Sequence, residues 1–368
     1  YGPLEVKDKQ VSGDLAADKG LERGIPKGME GPEKVINYIL GQAIISRVDR
    51  IHFEPSEKGV IIRFRVCSSL SRKLEIPLKL HQEVINKLKT LSQIPQPPGV
   101  PSQTTVGHFR VTVSGRQVNV QSVFYPTING EMVILKLNDY GESASEIVQH
   151  SKTFLDETAR FLQRNHGVLY ITGPRESGRT TTAYYIINRY DLEANKIITV
   201  ENPTQAGFPR ITQLQVGQNG IENLEAGFEL ALNLDPDLIY LDHLTGKSLL
   251  ESVAFAGLGG KTIITSLLGY DVASSIIRLL EQTTDPVTIA MSLAGFLSQR
   301  LVRTLCPICR KPCDPPAEIL ERIKTLSEEP HCAQSVGCET CQQTGYAGRV
   351  LLHEFLPVSP VLRQMIIN

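Results

Sequence analysis

Residues Gly173 to Thr180 read Gly-Pro-Arg-Glu-Ser-Gly-Arg-Thr. The spacing is that of a phosphate-binding loop, G-x-x-x-x-G-K-[S/T], with Arg179 in the place of the lysine. The apolar run Gly167–Thr172 (GVLYIT) precedes it, and the spacing after it predicts a helix from Thr180 to Tyr190. Strand, glycine loop and helix in that order leave few folds open. The loop must sit at the carboxyl end of a strand in an α/β sheet, with its amides and the helix N-terminus facing an anion. Gly173, Ser177, Gly178, Arg179, Thr180 and Thr181 are the candidate nucleotide-binding residues. In a working loop the lysine reaches the β/γ-phosphates and the Ser/Thr hydroxyl holds Mg²⁺. Thr180 keeps the hydroxyl. Arg179 keeps a charge but replaces a compact ammonium with a planar fork. Glu176 places a carboxylate where polyphosphate would lie.

The chain has 368 residues, enough for one large domain or two ordinary ones. Its net charge of −1 offers no basic footprint for nucleic acid, and none is expected as a partner. No apolar run is long enough to span a bilayer, and no signal peptide is visible. The chain starts at Tyr1 without Met and stops at Asn368 inside an apolar segment, so both ends are expected to be trimmed.

Residues 1–29 mix charge with Gly and Pro and read as a flexible leader. A first α/β domain is expected over 30–137. Its helices fall at Lys34–Ile45 and Leu80–Leu91, and its strands at Ile51–Phe53, Gly59–Val66, Gly107–Val113, Arg116–Val123 and Met132–Leu137. Ile94–Pro101 is a proline-rich loop. Residues 138–150 read as a linker. Over 151–368, strands at Val168–Thr172, Lys196–Val200, Leu238–Leu241 and Lys261–Thr265 alternate with helices, which argues for a parallel sheet covered on both faces.

Four of the seven cysteines form two C-x-x-C pairs, Cys306/Cys309 and Cys338/Cys341. Two such knuckles offer four thiolates in a tetrahedron, which suits a structural zinc ion, and a zinc module is expected over about 306–341. Cys313, His331 and Cys332 lie close by as spare ligands or, on the plainer reading, solvated loop residues. Cys67 reads as a small buried residue.

Further segments carry a family likeness. They are Asp49–Pro55 (DRIHFEP), Pro126–Glu131 (PTINGE), Thr199–Pro203 (TVENP), Asp235–Ile239 (DPDLI), Gln299–Pro307 (QRLVRTLCP) and Gly345–Arg349 (GYAGR). In this order, and together with the loop, they resemble the ATPases that drive type II secretion and type IV pilus assembly. The resemblance covers about Pro32 to Asn368. It implies a PAS-like α/β domain followed by a RecA-like P-loop NTPase domain with a tetracysteine zinc module. It also implies a homo- or hetero-oligomer, usually a hexamer, at the cytoplasmic face of the inner membrane beside the platform proteins of the machine.

Against that family pattern, the departures fall where the chemistry would be. Glu201 is kept, but Asn202 and Gln205 stand for acids. Asp242-His243 stands for Gly-Glu, so the water-polarising glutamate maps to His243. Leu268 stands for the γ-phosphate-sensing histidine. Gln121 and Lys136 occupy arginine places in the first domain, and Glu229 and Asn233 occupy two more before Asp235. Arg50 replaces an aspartate ahead of His52 and Glu54, which read as packing residues. His108 stands for an arginine and has no assigned role.

These losses are coherent: acids for a metal and cations for phosphate go together. Glu201 and Asp242 remain as candidate residual catalytic residues. The expectation is a degenerate subunit, structural or regulatory, acting beside an active homologous ATPase. A slow hexameric ATPase using Glu201 and Asp242, or a nucleotide sensor without turnover, are the alternatives. On the plainest reading of the loop, Arg179 pairs with Glu176 or Glu201.

Overall fold

The computed structural model of the chain describes residues 4–6, 31–66, 69–94, 104–113, 115–138, 149–205, 207–283, 285–315, 320, 332–341 and 343–368. Two compact units emerge, one from Tyr1–Ser143 with Arg303–Gly348, the other from Ala144–Val302 with Arg349–Asn368.

The first unit opens with β1 (Leu4–Val6), α1 (Pro32–Ile45), β2 (Arg50–Pro55), β3 (Val60–Val66) and β4 (Ser69–Ile76). It continues with α2 (Leu78–Leu91), β5 (Thr105–Val113), β6 (Arg116–Thr127) and β7 (Gly130–Asn138). The sheet order is β1-β5-β6-β7-β2-β3-β4. Every expected strand of this domain is present, and β1 and β4 are additional. β1 pairs in parallel with Val111–Val113 and falls within the stretch expected as a leader. The rest of that stretch, residues 139–148 of the expected linker, 95–101 of the proline-rich loop and Cys67 lie outside the described residues.

Alternation explains the sheet. Gly107, Phe109, Val111 and Val113 of β5 are buried while His108 and Arg110 between them face outward, the period-two pattern of a half-covered sheet. Ile36, Ile39 and Leu40 of α1 and Val84, Ile85 and Leu88 of α2 close over Ile51, Phe53 and Leu135. Truncating such a side chain to Ala costs about 2–5 kcal/mol. The Pro126–Glu131 segment is the β6–β7 hairpin turn, with Thr127 opposite Gly130 and the Thr127 hydroxyl donating to the Gly130 carbonyl at 2.6 Å. Gly130, at φ 117°, supplies a backbone conformation L side chains avoid. The hairpin is anchored on α2: Lys89 pairs with the Glu131 carboxylate at 2.7 Å, and His81 Nε2 donates to its carbonyl at 2.7 Å.

The second unit begins with α3 (Lys152–Arg164), β8 (Gly167–Gly173), α4 (Arg179–Ile187), β9 (Ile197–Glu201), β10 (Thr212–Gln215) and α5 (Leu224–Asn233). Then come β11 (Leu238–Leu241), α6 (Lys247–Leu258), β12 (Thr262–Leu268), α7 (Val272–Glu281), α8 (Pro286–Ser292) and β13 (Leu293–Leu305). A small ladder, β14 (Lys311–Cys313) and β15 (Cys332–Gln334), belongs to the first unit, and β16 (Tyr346–Pro357) and α9 (Pro360–Ile367) end the chain. The sheet order is β10-β9-β11-β12-β8-β13-β16. All pairings from β10 to β13 are parallel, as the strand–helix alternation implies. β8, β9 and β11 are buried along their whole length. That is why they read as unbroken apolar runs: a parallel strand covered on both faces has no polar side. Asp271, three residues past Leu268, caps α7 by accepting from the Ser274 amide at 2.7 Å.

Candidate functional site

β8 delivers the loop from the middle of the sheet, flanked by β12 and β13. A Cβ on Gly173 would come 2.4 Å from Ser177 Oγ and 2.5 Å from the Gln299 carbonyl oxygen, so only glycine lets the chain turn there. Gly178, at φ 86°, is the cap of α4, which starts at Arg179, one residue earlier than the spacing predicts, and ends at Ile187, three residues earlier. Glu176 holds φ 64°, a conformation that costs a non-glycine residue about 1 kcal/mol or more. Gln299 on β13 closes the loop from behind, its Nε2 donating to the Ser177 carbonyl at 2.8 Å. Ser177 Oγ and Arg179 Nη1 are buried without a hydrogen-bond partner. Thr180 and Thr181 lie half-buried on the first turn of α4. Glycine turn, helix N-terminus and orphaned donors fit a phosphate group.

The two retained acids sit on neighbouring strands, Glu201 ending β9 and Asp242 just past β11, in a register that pairs Leu241 with Val200. Glu201 is fully buried. Its Oε2 accepts from the Tyr184 hydroxyl, and its Oε1 accepts from Thr199 Oγ1 at 2.6 Å and Gln213 Nε2 at 3.3 Å. Burial raises the Glu201 pKa, the Thr199 and Tyr184 hydrogen bonds pull it down, and the Asp242 charge raises it again. Asp242 Oδ1 accepts from the Tyr240 hydroxyl at 3.1 Å, and Oδ2 lies 3.5 Å from His243 Nδ1. Burial lowers the pKa of Arg179, and the Asp242 charge acts against that. The carboxylate charge acting on Arg179 is therefore that of Asp242, in place of Glu176 or Glu201, the two expected partners. A magnesium ion needs carboxylate oxygens that can turn to it in an octahedral shell. Both Glu201 oxygens already accept from protein donors, and the Asp242 carboxylate accepts from Tyr240 and lies beside His243, so this acid pair as arranged does not fit Mg²⁺.

The substituted positions gather around the loop only in part. His243 and Leu268 line one pocket of about 480 Å³ with Arg175 and Arg179. Asn202 is exposed and Gln205 half-buried beyond the cis Asn202–Pro203 bond. Glu229 and Asn233 are exposed on α5. In the first unit, His108, Gln121, Lys136, Arg50 and Arg65 stand in one register row across β5, β6, β7, β2 and β3. Two residues along β2 from Arg50, buried His52 lies 3.9 Å from Glu54, which also takes an ion pair from Arg63.

Cys306, Cys309, Cys338 and Cys341 converge, all four sulfurs lying within 4.8 Å of one another. Individual spacings are 3.9 Å for Cys306–Cys338, 3.8 Å for Cys309–Cys341 and 3.7 Å for Cys338–Cys341. The Gly337 amide donates to Cys309 Sγ at 3.3 Å, and the Cys338 and Gly345 amides donate to Cys341 Sγ at 3.2 and 3.1 Å. Burial opposes a thiolate at Cys341, but the two amides outweigh it and bring the thiol down to about 6. The group could hold a metal ion. Cys313 and Cys332 are outside it. They are half-buried strand residues facing each other across β14 and β15, not solvated loop residues as expected.

The type II/IV secretion system protein family matches residues 27–368. The chain belongs to that family. It is 30% identical over 336 residues to the type II secretion system protein HxcR of Pseudomonas aeruginosa, covering 90% of this chain and 68% of the relative. With the type II secretion system ATPase E of Vibrio cholerae it shares 31% over 339 residues, covering 90% and 66%. This chain thus spans about two thirds of those relatives. The Legionella pneumophila ATPase DotB has the same fold, with a TM-score of 0.67 at 15% identity over 93% of this chain and 85% of DotB.

Membership of the type II/IV secretion family leaves several site residues that the sequence did not single out. Tyr184, Thr199, Gln213 and Tyr240 supply the donors to the two acids. Each sits in an apolar or mixed run where a tyrosine or threonine reads as packing. Gln299 was quoted only as part of a motif, and its contact with Ser177 spans 122 positions.

Proposed function

We propose that this chain is a subunit of a type II secretion or type IV pilus assembly machine, structural or regulatory, with little or no ATP hydrolysis. The observation that carries this reading is Glu201: buried, with both carboxylate oxygens engaged by Tyr184, Thr199 and Gln213. Hydrolysis needs a metal, a carboxylate for water and cations on the γ-phosphate. Here the Asp242 charge acts on Arg179, His243 takes the glutamate place and Leu268 cannot hydrogen-bond. Removing one such electrostatic element lowers a rate by about 10²–10³.

In this reading the first domain, 30–137, is PAS-like and joined by the linker 138–150 to a RecA-like domain, 151–368. The tetracysteine group over about 306–341 holds a structural zinc ion. A tetrahedron with Zn–S of about 2.3 Å has edges of about 3.8 Å, close to the sulfur spacings above. The subunit assembles in a homo- or hetero-oligomer, a hexamer by family habit, at the cytoplasmic face of the inner membrane with platform proteins and an active homologue. No described helix is long and apolar enough to cross a membrane.

A second reading, a nucleotide sensor without turnover, draws on the orphaned Ser177 Oγ and Arg179 Nη1. Phosphate release from MgATP by the purified chain separates these readings from a slow ATPase. Release at background, unchanged in Glu201→Gln, is expected. Turnover that Glu201→Gln abolishes would sink the proposal.

A further inference from the structure

The pocket beside the loop has a composition that the loop's decay does not explain. Its walls carry Arg175 and Arg179 from the loop, Lys247 from α6 and Arg278 from α7, and no acidic residue among the described residues lines it. Arg179 and Lys247 are also the first residues of α4 and α6, helices of 9 and 12 residues. Each helix adds the partial positive charge of its N-terminus. Lys247 also lies 3.8 Å from Glu251 one turn along α6, an exposed pair that holds it only weakly. Asp242, behind His243, offsets part of the field at Arg179. Four cations with two helix ends around about 480 Å³ make a field that favours an anion. The volume falls in the range of ordinary small-ligand sites.

A site that works on MgATP balances the phosphate charge with a metal held by acids. In this chain the acids are engaged with protein donors, and side-chain cations stand at the phosphate side. We infer that the pocket binds a polyphosphate without a metal, Lys247 and Arg278 supplying the charge that Mg²⁺ supplies elsewhere. The ligand class is a chain of two or three phosphates, as in a free nucleotide or inorganic tripolyphosphate. The inference deepens the sensor reading above and rests on it. It assigns a role to Lys247 and Arg278, two exposed helix residues outside the loop.

The test is calorimetric titration of the full chain with ATP, with inorganic tripolyphosphate, each in excess EDTA, and with MgATP. Binding in EDTA at least as tight as with Mg²⁺ is expected, and tripolyphosphate competing with ATP would place recognition on the phosphates. If ATP binds in EDTA and tripolyphosphate does not, the ligand is the nucleotide form of that class. Lys247→Ala and Arg278→Ala should each weaken binding by about tenfold or more, the scale of one hydrogen bond to a charged group. Both side chains are exposed, so neither substitution threatens the fold. Binding that appears only with Mg²⁺, binding indifferent to both substitutions, or no binding at all would overturn the inference. Phosphate release is scored separately: turnover, or no binding under any condition, would bring down the parent reading, whereas MgATP binding with silence in EDTA brings down this one alone.

Discussion

The Tyr184 hydroxyl on α4 donates to the Glu201 carboxylate at the end of β9, and neither residue is more than 3% exposed. The phenol holds that acid inside the core. Tyr184→Phe should leave Oε2 without a donor and cost about 1–3 kcal/mol. Thermal unfolding of the second unit, followed by circular dichroism, checks this. The same substitution in a Glu201→Gln background should cost less, because an amide loses less than a buried carboxylate does.

Burial raises the Glu201 pKa in the folded chain. The sign follows from linkage: the folded state holds this proton to higher pH than the unfolded state does. The contribution is therefore fully present below the ordinary glutamate pKa and is lost as pH rises through the folded value. Wild type should lose stability relative to Glu201→Gln across that window and run parallel to it above. Equal pH profiles for the two proteins would show that Glu201 is not held protonated.

The loop's shape matters to the fold whether or not a nucleotide binds. Gly173→Ala would press a methyl group against the Gln299 carbonyl at 2.5 Å, a backbone atom that cannot yield locally. Gly178→Ala meets only the ends of Gln299 and Leu301 side chains at 3.4 and 3.5 Å, but must hold φ 86°. The latter should cost about 1–2 kcal/mol, and the former more. Melting temperatures measured without any nucleotide give the comparison.

Strand, loop and helix were legible because their order admits few alternatives, and β8, β9, β11 and β12 were legible because helices separate them. β13 was not. Its buried Leu293–Gln299 has no alternation, and a run buried on both faces cannot be told from a helix by periodicity. With β13 went the Gln299–Ser177 bond. The acids were visible at Glu201 and Asp242, yet their partners were not, since hydrogen bonds between parallel strands and the helices packed on them leave no spacing in sequence. Lys247 and Arg278 stand in none of the motifs. Only the folded chain brings them beside Arg175 and Arg179.

Restoring one residue should not restore hydrolysis. Arg179→Lys returns the loop to the G-x-x-x-x-G-K-T pattern, but the Asp242 charge still acts on the cation and His243 and Leu268 still line the pocket. Phosphate release from MgATP should stay at background in Arg179→Lys. It should stay there in Arg179→Lys/His243→Glu as well, because catalytic groups that act as a unit are strongly non-additive. A single substitution that yields steady turnover would mean the acids can be freed, and the site is dormant and not dismantled.

The six described cysteines separate by geometry into four and two, which makes the metal testable with an internal control. Cys338 lies in the group whose sulfurs are all within 4.8 Å, whereas Cys313 faces Cys332 across a ladder outside it. Purified protein should carry one zinc per chain. Cys338→Ser should lose most of it and lower the melting temperature, since a three-thiolate site keeps an open position that water fills. Cys313→Ser should retain the metal with stability nearly unchanged. Chelation should expose four thiols in wild type to a colorimetric reagent. Equal metal content in the two variants would remove the zinc assignment while leaving the rest of the fold as described.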